Sequence, residues 1–275
     1  MKNGSIYFRT QDETSLWVEL KGSGRPLILC HDWLCSGRFF QKNVDELAKH
    51  FQVITMDFRD HGRSQKTLMG HTIDRYAQDV HEIIMSFGLQ DVILGGWALG
   101  GSVALSYWRQ FGREGRVSKM ILMDMTSYPY SDADWNSHPF KGYDVNGFHD
   151  LINTFMSSRE QFLCQYPANG FYGGEMQLGS EWMVKEIHSV PTWSAIAIYS
   201  NYLLTDYTTV LPTITIPTLV MGANSKVYEK GIAQGEHISS HLPRGKFLEF
   251  SHEGHFFFYE NPQKFNQAVI EFGQK

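Results

Sequence analysis

The segment between residues 91 and 110 constrains this chain most, because it joins a short apolar run to a helix pattern through closely spaced glycines. The apolar run at 92–94 is typical of a buried strand, and the pattern at 103–110 is typical of a helix. Glycines stand between them at positions 95, 96, 100 and 101. Glycine permits tight turns and close backbone approach, so the segment predicts a strained turn from a strand into a helix.

This turn reads Gly96-Trp-Ala-Leu-Gly100, which fits the G-x-S-x-G frame of a nucleophile elbow except at its centre. It resembles the α/β-hydrolases, in which the central residue is the nucleophile. Here the centre is Ala98, and a methyl group cannot attack a carbonyl carbon. The resemblance implies an α/β-hydrolase fold, a mostly parallel eight-stranded sheet with helices on both faces and an inserted helical cap. The core would comprise residues 1–125 and 214–275, and the cap residues 126–213.

The rest of the chain carries strand and helix patterns that suit this fold. Strands are predicted at 5–9, 15–20, 25–31, 51–58, 92–94, 117–124, 216–222 and 246–250. Helices are predicted at 39–50, 72–88, 103–110, 229–241 and 263–272. Between 126 and 213 the alternation is lost and aromatic residues concentrate, including the tyrosines at 128, 130, 143, 166, 172, 199, 202 and 207. We interpret most of them as packing the cap on the core, and a minority as lining an apolar pocket.

The clearest catalytic candidate is His255, which follows the last predicted strand. Gly254-His255, an aromatic run and then Glu260-Asn-Pro262 resemble the histidine segment of the family, so His255 is predicted to be the catalytic base. We interpret His252 as a loop residue. In this family the histidine follows a nucleophile and an acid, each from a different strand end.

The acid has two possible locations in the resemblance. Many members carry it in a G-x-x-D pattern after the strand that here ends at Gly222, but that position holds Ser225. The other location is the end of the strand after the elbow, where Asp124 stands. We therefore predict Asp124 as the acid, with Glu229 as the fallback. The acid would fix the tautomer of His255 and stabilise its imidazolium form.

The resemblance also implies an oxyanion hole made from two backbone N–H groups, one after the strand at 25–31 and one after the nucleophile. By position these donors belong to Trp33 and Leu99. Asp32 stands where the family usually has glycine, so the backbone angles of this loop are expected to differ. We interpret the neighbouring His31 as structural, through hydrogen bonds within the loop.

Three functions stay open at this point. The favoured one is a serine hydrolase that cleaves a carboxylic ester or lactone with an apolar or aromatic group through an acyl-enzyme, here as a Ser→Ala variant at position 98. The second is a cofactor-independent His–Asp dioxygenase of the 3-hydroxy-4-quinolone type, which needs no serine. The third is a non-catalytic small-molecule receptor. Neither a dinucleotide fingerprint nor a metal-ligand pattern occurs in the sequence, so no cofactor and no metal are expected.

Charge and cysteine content limit the partners and the compartment. A net charge of −5 gives no reason to expect nucleic acid or an anionic membrane as partner, so a small-molecule substrate is predicted. Cys30, Cys35 and Cys164 lack metal-site spacing, which favours free thiols in a reducing compartment. The first residues lack a signal-peptide pattern and no apolar run approaches about 20 residues. A soluble cytoplasmic protein is therefore expected, and its oligomeric state stays open.

Overall fold

The computed structural model describes residues 3–142 and 145–275, without the side chains of Val145, Gln161 and Cys164. The predicted cap residue Tyr143 lies outside the described residues. The strands are β1 Gly4–Arg9, β2 Ser15–Gly22, β3 Pro26–Cys30, β4 Gln52–Met56, β5 Val92–Trp97, β6 Val117–Met123, β7 Thr218–Ala223 and β8 Gly245–Phe250. Across the described ranges these eight strands form one sheet, in the order β1-β2-β4-β3-β5-β6-β7-β8.

The sheet is antiparallel at one edge and parallel elsewhere. β2 pairs antiparallel with both β1 and β4, and all the later neighbours pair in parallel. Every residue of β3, β4, β5 and β7 is buried, which requires cover on both faces of the sheet. The predicted mostly parallel eight-stranded α/β-hydrolase sheet is confirmed.

The helices that cover the sheet are α1 Gln41–Leu47, α2 Ile73–Ser86, α3 Leu99–Phe111, α8 Gly231–Ser240, α9 Phe257–Glu260 and α10 Pro262–Gln274. α2 packs against α3, and α1 packs against α10. The hydroxyl of Thr72 accepts a hydrogen bond from the backbone N–H of Arg75, so Thr72 caps α2 at the start of the predicted helix. α3 begins at Leu99, earlier than predicted, because Gly100 and Gly101 belong to its first turn. A side chain at Gly100 would meet the backbone of Cys30, so glycine lets this helix approach β3.

Four further helices lie in the chain between β6 and β7, inside the predicted cap. They are α4 Val145–Ser157, α5 Arg159–Gly170, α6 Trp182–His188 and α7 Thr192–Leu203. The indole of Trp33, which follows β3, stacks on the ring of Tyr199 from α7 with 4.1 Å between ring centroids. These inserted helices therefore contact the carboxyl end of the sheet, while the division into core and cap stays an interpretation. In the described part of the chain, no helix is long and apolar enough to cross a membrane.

Candidate active site

The turn after β5 keeps the geometry of an elbow although its central residue is alanine. Ala98 has φ 48° and ψ −111°, a combination that residues with a side chain rarely adopt. Such a conformation costs on the order of 1–3 kcal/mol and persists where the surroundings enforce it. A side chain at Gly96 would collide with the backbone of Gly100, so the turn depends on glycine at this position. The strained turn thus survives without a hydroxyl to present.

His255 and Asp124 meet beside this turn. Nδ1 of His255 lies 2.6 Å from Oδ2 of Asp124, and Oδ1 of Asp124 accepts a hydrogen bond of 3.2 Å from the N–H of Ala223. Both side chains are buried, which strengthens their electrostatic interaction. The fallback acid Glu229 is exposed in the turn before α8, and Ser225 accepts hydrogen bonds from backbone N–H groups of its own loop. Asp124 is therefore the better placed of the two candidate acids, and its catalytic role stays a prediction.

Asp32 is the residue that sequence reasoning missed. Its Oδ1 accepts a hydrogen bond of 3.0 Å from the backbone N–H of Leu99, the residue after the elbow centre. Its Oδ2 accepts a hydrogen bond of 2.7 Å from the hydroxyl of Tyr166 and lies 3.4 Å from Nε2 of His255. Two departures from the family pattern could have indicated this contact when considered together. They are the carboxylate in the oxyanion loop and the elbow without serine.

This contact changes the predicted oxyanion hole. The N–H of Leu99, one of the two predicted donors, is engaged by a carboxylate, and a second negative charge there would repel a developing oxyanion. The indole N–H of Trp33 bonds the carbonyl oxygen of Ala195 at 3.0 Å, which leaves the backbone N–H predicted as the other donor unaffected. The oxyanion assignment stays a prediction, and it requires that Asp32 first release the N–H of Leu99.

Two carboxylates determine the charge of His255. Burial alone would lower its pKa, but the hydrogen bonds and charges of Asp124 and Asp32 outweigh burial and raise the pKa to about 9. His255 is therefore an imidazolium at neutral pH, with Asp124 on one side and Asp32 on the other. An imidazolium and a carboxylate therefore lie side by side here, and neither belongs to the elbow residue Ala98.

His31 holds the loop that carries Asp32. Its Nε2 accepts a hydrogen bond of 2.9 Å from the N–H of Phe58, so the ring proton is on Nδ1, which donates to the carbonyl oxygen of Asp32 at 2.7 Å. Burial lowers the pKa of His31 to about 3 and keeps the ring neutral. These contacts support the structural role expected for His31.

A cavity of about 320 Å³ lies over Asp32 and His255. Its size is in the range of small-molecule sites. Its aromatic walls are Trp33, Phe140, Phe162, Tyr166, Tyr199, Tyr202 and Tyr228. A more polar hollow of about 480 Å³, which includes Asp57 and Glu186, does not include His255. In the described part of the chain, no group of three or more His, Cys, Asp or Glu side chains is arranged to hold a metal ion.

Comparisons with known proteins agree with this architecture. A family model for the alpha/beta hydrolase fold matches residues 25–262. The AB hydrolase superfamily protein YisY of Bacillus subtilis is 26% identical over 97% of this chain and 98% of that relative. A non-heme haloperoxidase of Rhodococcus erythropolis is 30% identical over 78% of this chain and 80% of its own length. The solved structure of an esterase from Exiguobacterium antarcticum matches with a TM-score of 0.87 at 24% identity, covering 100% of both chains. The chain therefore belongs to the α/β-hydrolase fold family, a family of enzymes that includes esterases and haloperoxidases.

Proposed function

We propose that this chain, with alanine at position 98, catalyses proton transfer on an apolar or aromatic small molecule without forming an acyl-enzyme. The observation that carries the proposal is the position of Asp32. Its carboxylate accepts a hydrogen bond from the N–H of Leu99, and its Oδ2 lies 3.4 Å from Nε2 of His255. An acyl-enzyme needs a nucleophile and free oxyanion donors; here the elbow centre is Ala98, and the N–H of Leu99, one of the two predicted donors, is engaged by Asp32. General acid–base catalysis needs neither.

In this mechanism Asp32 and the imidazolium of His255 act on a substrate whose acidic O–H or C–H lies beside a carbonyl group. Asp32 accepts the proton through Oδ2, the oxygen near His255. The imidazolium of His255 donates a hydrogen bond to the carbonyl oxygen as negative charge develops on it. Asp124 keeps His255 oriented and charged through its contact with Nδ1, 2.6 Å away. The mostly aromatic walls lower the polarity around the two groups and so strengthen these interactions.

The test uses the full chain with Ala98 unchanged. A panel of aromatic α-hydroxyketones and 1,3-diketones is incubated in D2O, and exchange of the acidic C–H is followed by NMR above the buffer rate. His255→Ala and Asp32→Asn should each lower the exchange rate by about 10²–10⁴, the usual contribution of a positioned acid or base. Glu229→Gln is the matched control, because this carboxylate is exposed and outside the cavity. Exchange that is unchanged in both site variants would exclude the mechanism.

The His–Asp dioxygenase is a specific form of this chemistry, in which the substrate anion reacts with O2. Uptake of O2 with a 3-hydroxy-4-quinolone, abolished by His255→Ala, would identify it. A non-catalytic receptor would bind members of the panel and produce neither exchange nor O2 uptake. The small-molecule substrate and a cytoplasmic location remain part of the proposal, the latter supported by the free, buried thiols of Cys30 and Cys35.

The second candidate is the serine hydrolase for an ester or lactone, with Ala98 as a Ser→Ala variant. One observation favours it, the strained backbone at Ala98 with φ 48°, which is the conformation that would present a nucleophile. In that case an Ala98→Ser protein should be labelled covalently by a fluorophosphonate, because only an activated serine attacks phosphorus quickly. His255, Asp124 and the N–H groups of Trp33 and Leu99 would then serve as base, acid and oxyanion donors.

A further inference from the structure

A second imidazole reaches the cavity from the segment between β6 and α4. His138 is only 4% exposed, and its ring lies 5.7 Å from the ring of Tyr202 and 5.8 Å from that of Tyr228. Both tyrosines are cavity walls. The side chain of His138, and not only its backbone, therefore belongs to this cavity.

The tautomer of His138 is determined by its own loop. Its Nδ1 accepts a hydrogen bond of 3.2 Å from the backbone N–H of Phe140. Burial lowers the pKa of His138 to about 3, so the ring carries a single proton at physiological pH. Because Nδ1 is the acceptor, that proton is on Nε2, and His138 presents a neutral N–H donor.

Within the described residues, this donor is free to contact a ligand. Across residues 3–142 and 145–275, as far as their side chains are described, none accepts a hydrogen bond from Nε2 of His138. This donor lies in the low-polarity surroundings of a largely buried ring, where a hydrogen bond is electrostatically stronger than in water. A ligand atom in the cavity can satisfy it.

Tyr228 lies close to both His138 and His255. The ring of Tyr228 is 5.3 Å from that of His255 and 5.8 Å from that of His138, so one phenol ring contacts both imidazoles. A planar ligand that lies across Tyr228 can reach both. The remaining walls are aromatic and suit a flat ring system.

We propose that His138 determines ligand specificity, by donating from Nε2 to a carbonyl oxygen or ring nitrogen on a planar aromatic ligand whose acidic group faces Asp32 and His255. This inference rests on the proposed function, since it takes the cavity as the substrate site. It adds the substrate class, an aromatic molecule with an acidic group at one end and a hydrogen-bond acceptor at the other.

The test compares ligands that differ by one atom. 6-Hydroxyquinoline and 7-hydroxyquinoline are 2-naphthol frameworks with one ring CH replaced by nitrogen, so they add an acceptor without adding bulk. Binding is measured by calorimetry on the full chain. At least one hydroxyquinoline should bind about tenfold more tightly than 2-naphthol, the value of one hydrogen bond to a buried donor.

Two variants distinguish loss of the Nε2 donor from damage to the fold. His138→Asn keeps an acceptor for the N–H of Phe140 but is too short to donate where Nε2 does, so it should bind the hydroxyquinoline and 2-naphthol equally. His138→Gln places an amide N–H near the Nε2 position and should retain the preference for the hydroxyquinoline. Thermal unfolding of both variants checks that the loop is intact.

Each result bears on the inference. Equal affinity of the ligands for the native chain, equal weakening of both by His138→Asn, or no binding of either would overturn it. The preference should persist in His255→Ala, because that change removes the proton-transfer group and leaves His138 in place. An intact preference without proton exchange in the native chain would therefore refute the proposed function alone, and lost preference with intact exchange would refute only the inference about His138.

Discussion

The position of Asp32 predicts that Ala98→Ser alone gives at most a weak esterase. In an Ala98→Ser protein the hydroxyl stands beside His255, but the N–H of Leu99 still donates to Oδ1 of Asp32 at 3.0 Å. The substrate oxyanion must replace that carboxylate before it can use the donor. The double variant Ala98→Ser/Asp32→Gly removes the obstacle, with the glycine that the family usually has at position 32.

The size of the difference follows from two terms. Loss of one oxyanion donor costs about 10²–10³ in kcat. Two unit charges at about 4 Å repel by about 4 kcal/mol at an effective dielectric constant of 20, which is a further factor of about 10³. Because the substrate can displace Asp32 in part, we expect the double variant to exceed Ala98→Ser by at least about 10² in kcat/KM.

The assay follows cleavage of p-nitrophenyl esters from acetate to octanoate and, in parallel, labelling by a fluorophosphonate. Asp32→Gly without the serine is the matched control and should stay at the background rate, because it has no nucleophile. His255→Ala in the double variant should remove activity, since the serine then lacks its base. Circular dichroism and thermal unfolding confirm that the variants are folded.

Two results would contradict this reasoning. Equal activity of Ala98→Ser and the double variant would mean that Asp32 does not obstruct the oxyanion position. No cleavage and no labelling in the folded double variant would end the serine-hydrolase interpretation, because every other part of that mechanism would then be present. In that case the acid–base mechanism would remain, and a mechanism with a nucleophile at the elbow would be excluded.

Three further predictions concern the same site. The pKa of His255 is raised from its ordinary 6.5 to about 9, so its charged form stabilises the fold fully below pH 6.5. Urea titrations should therefore find that the free energy of unfolding falls by up to about 3 kcal/mol as the pH rises through 9. His255→Gln should flatten that dependence, and an equally steep curve in this variant would assign it to other groups. Asp124→Asn in Ala98→Ser/Asp32→Gly should lower kcat by about 10⁴ through the wrong His255 tautomer, whereas near-normal turnover would move the acid elsewhere, with Glu229 tested next. The aromatic cavity predicts that this double variant prefers apolar or aromatic esters over acetate, and cleavage of only the smallest, most polar esters would refute a substrate role for the cavity.

The sequence predicts the parts of the site that follow from local order along the chain. The elbow and Asp124 come directly after β5 and β6, His255 follows β8 by a short turn, and the carboxyl ends of such strands meet at one edge. Their approach could therefore be expected from strand positions alone. The strand and helix patterns are predictable for the same reason, because each depends on periodicity within about ten residues.

The contacts of Asp32 could not be predicted in this way. Leu99 is 67 residues from Asp32 and His255 is 223 residues from it, so both contacts depend on how a loop backbone directs one side chain. The cap aromatics are similar. Tyr172 is 53% exposed, Tyr207 is buried outside the cavity walls and Tyr166 bonds Asp32, although all three have the same side chain. The packing of the helices gives the three tyrosines different surroundings, and amino-acid composition carries no information about that packing.

Ala98 and Asp32 are best understood together. An elbow that had merely lost its serine would gain nothing from the strained backbone at Ala98, and relaxing it would recover on the order of 1–3 kcal/mol. In this chain the same strained turn directs the N–H of Leu99 toward Asp32, and Asp32 in turn holds His255 charged. In the proposed acid–base function, the strained turn would orient an anion instead of a nucleophile. Relaxing the turn would release Asp32 and lower the pKa of His255, so the elbow and the acid–base pair depend on each other.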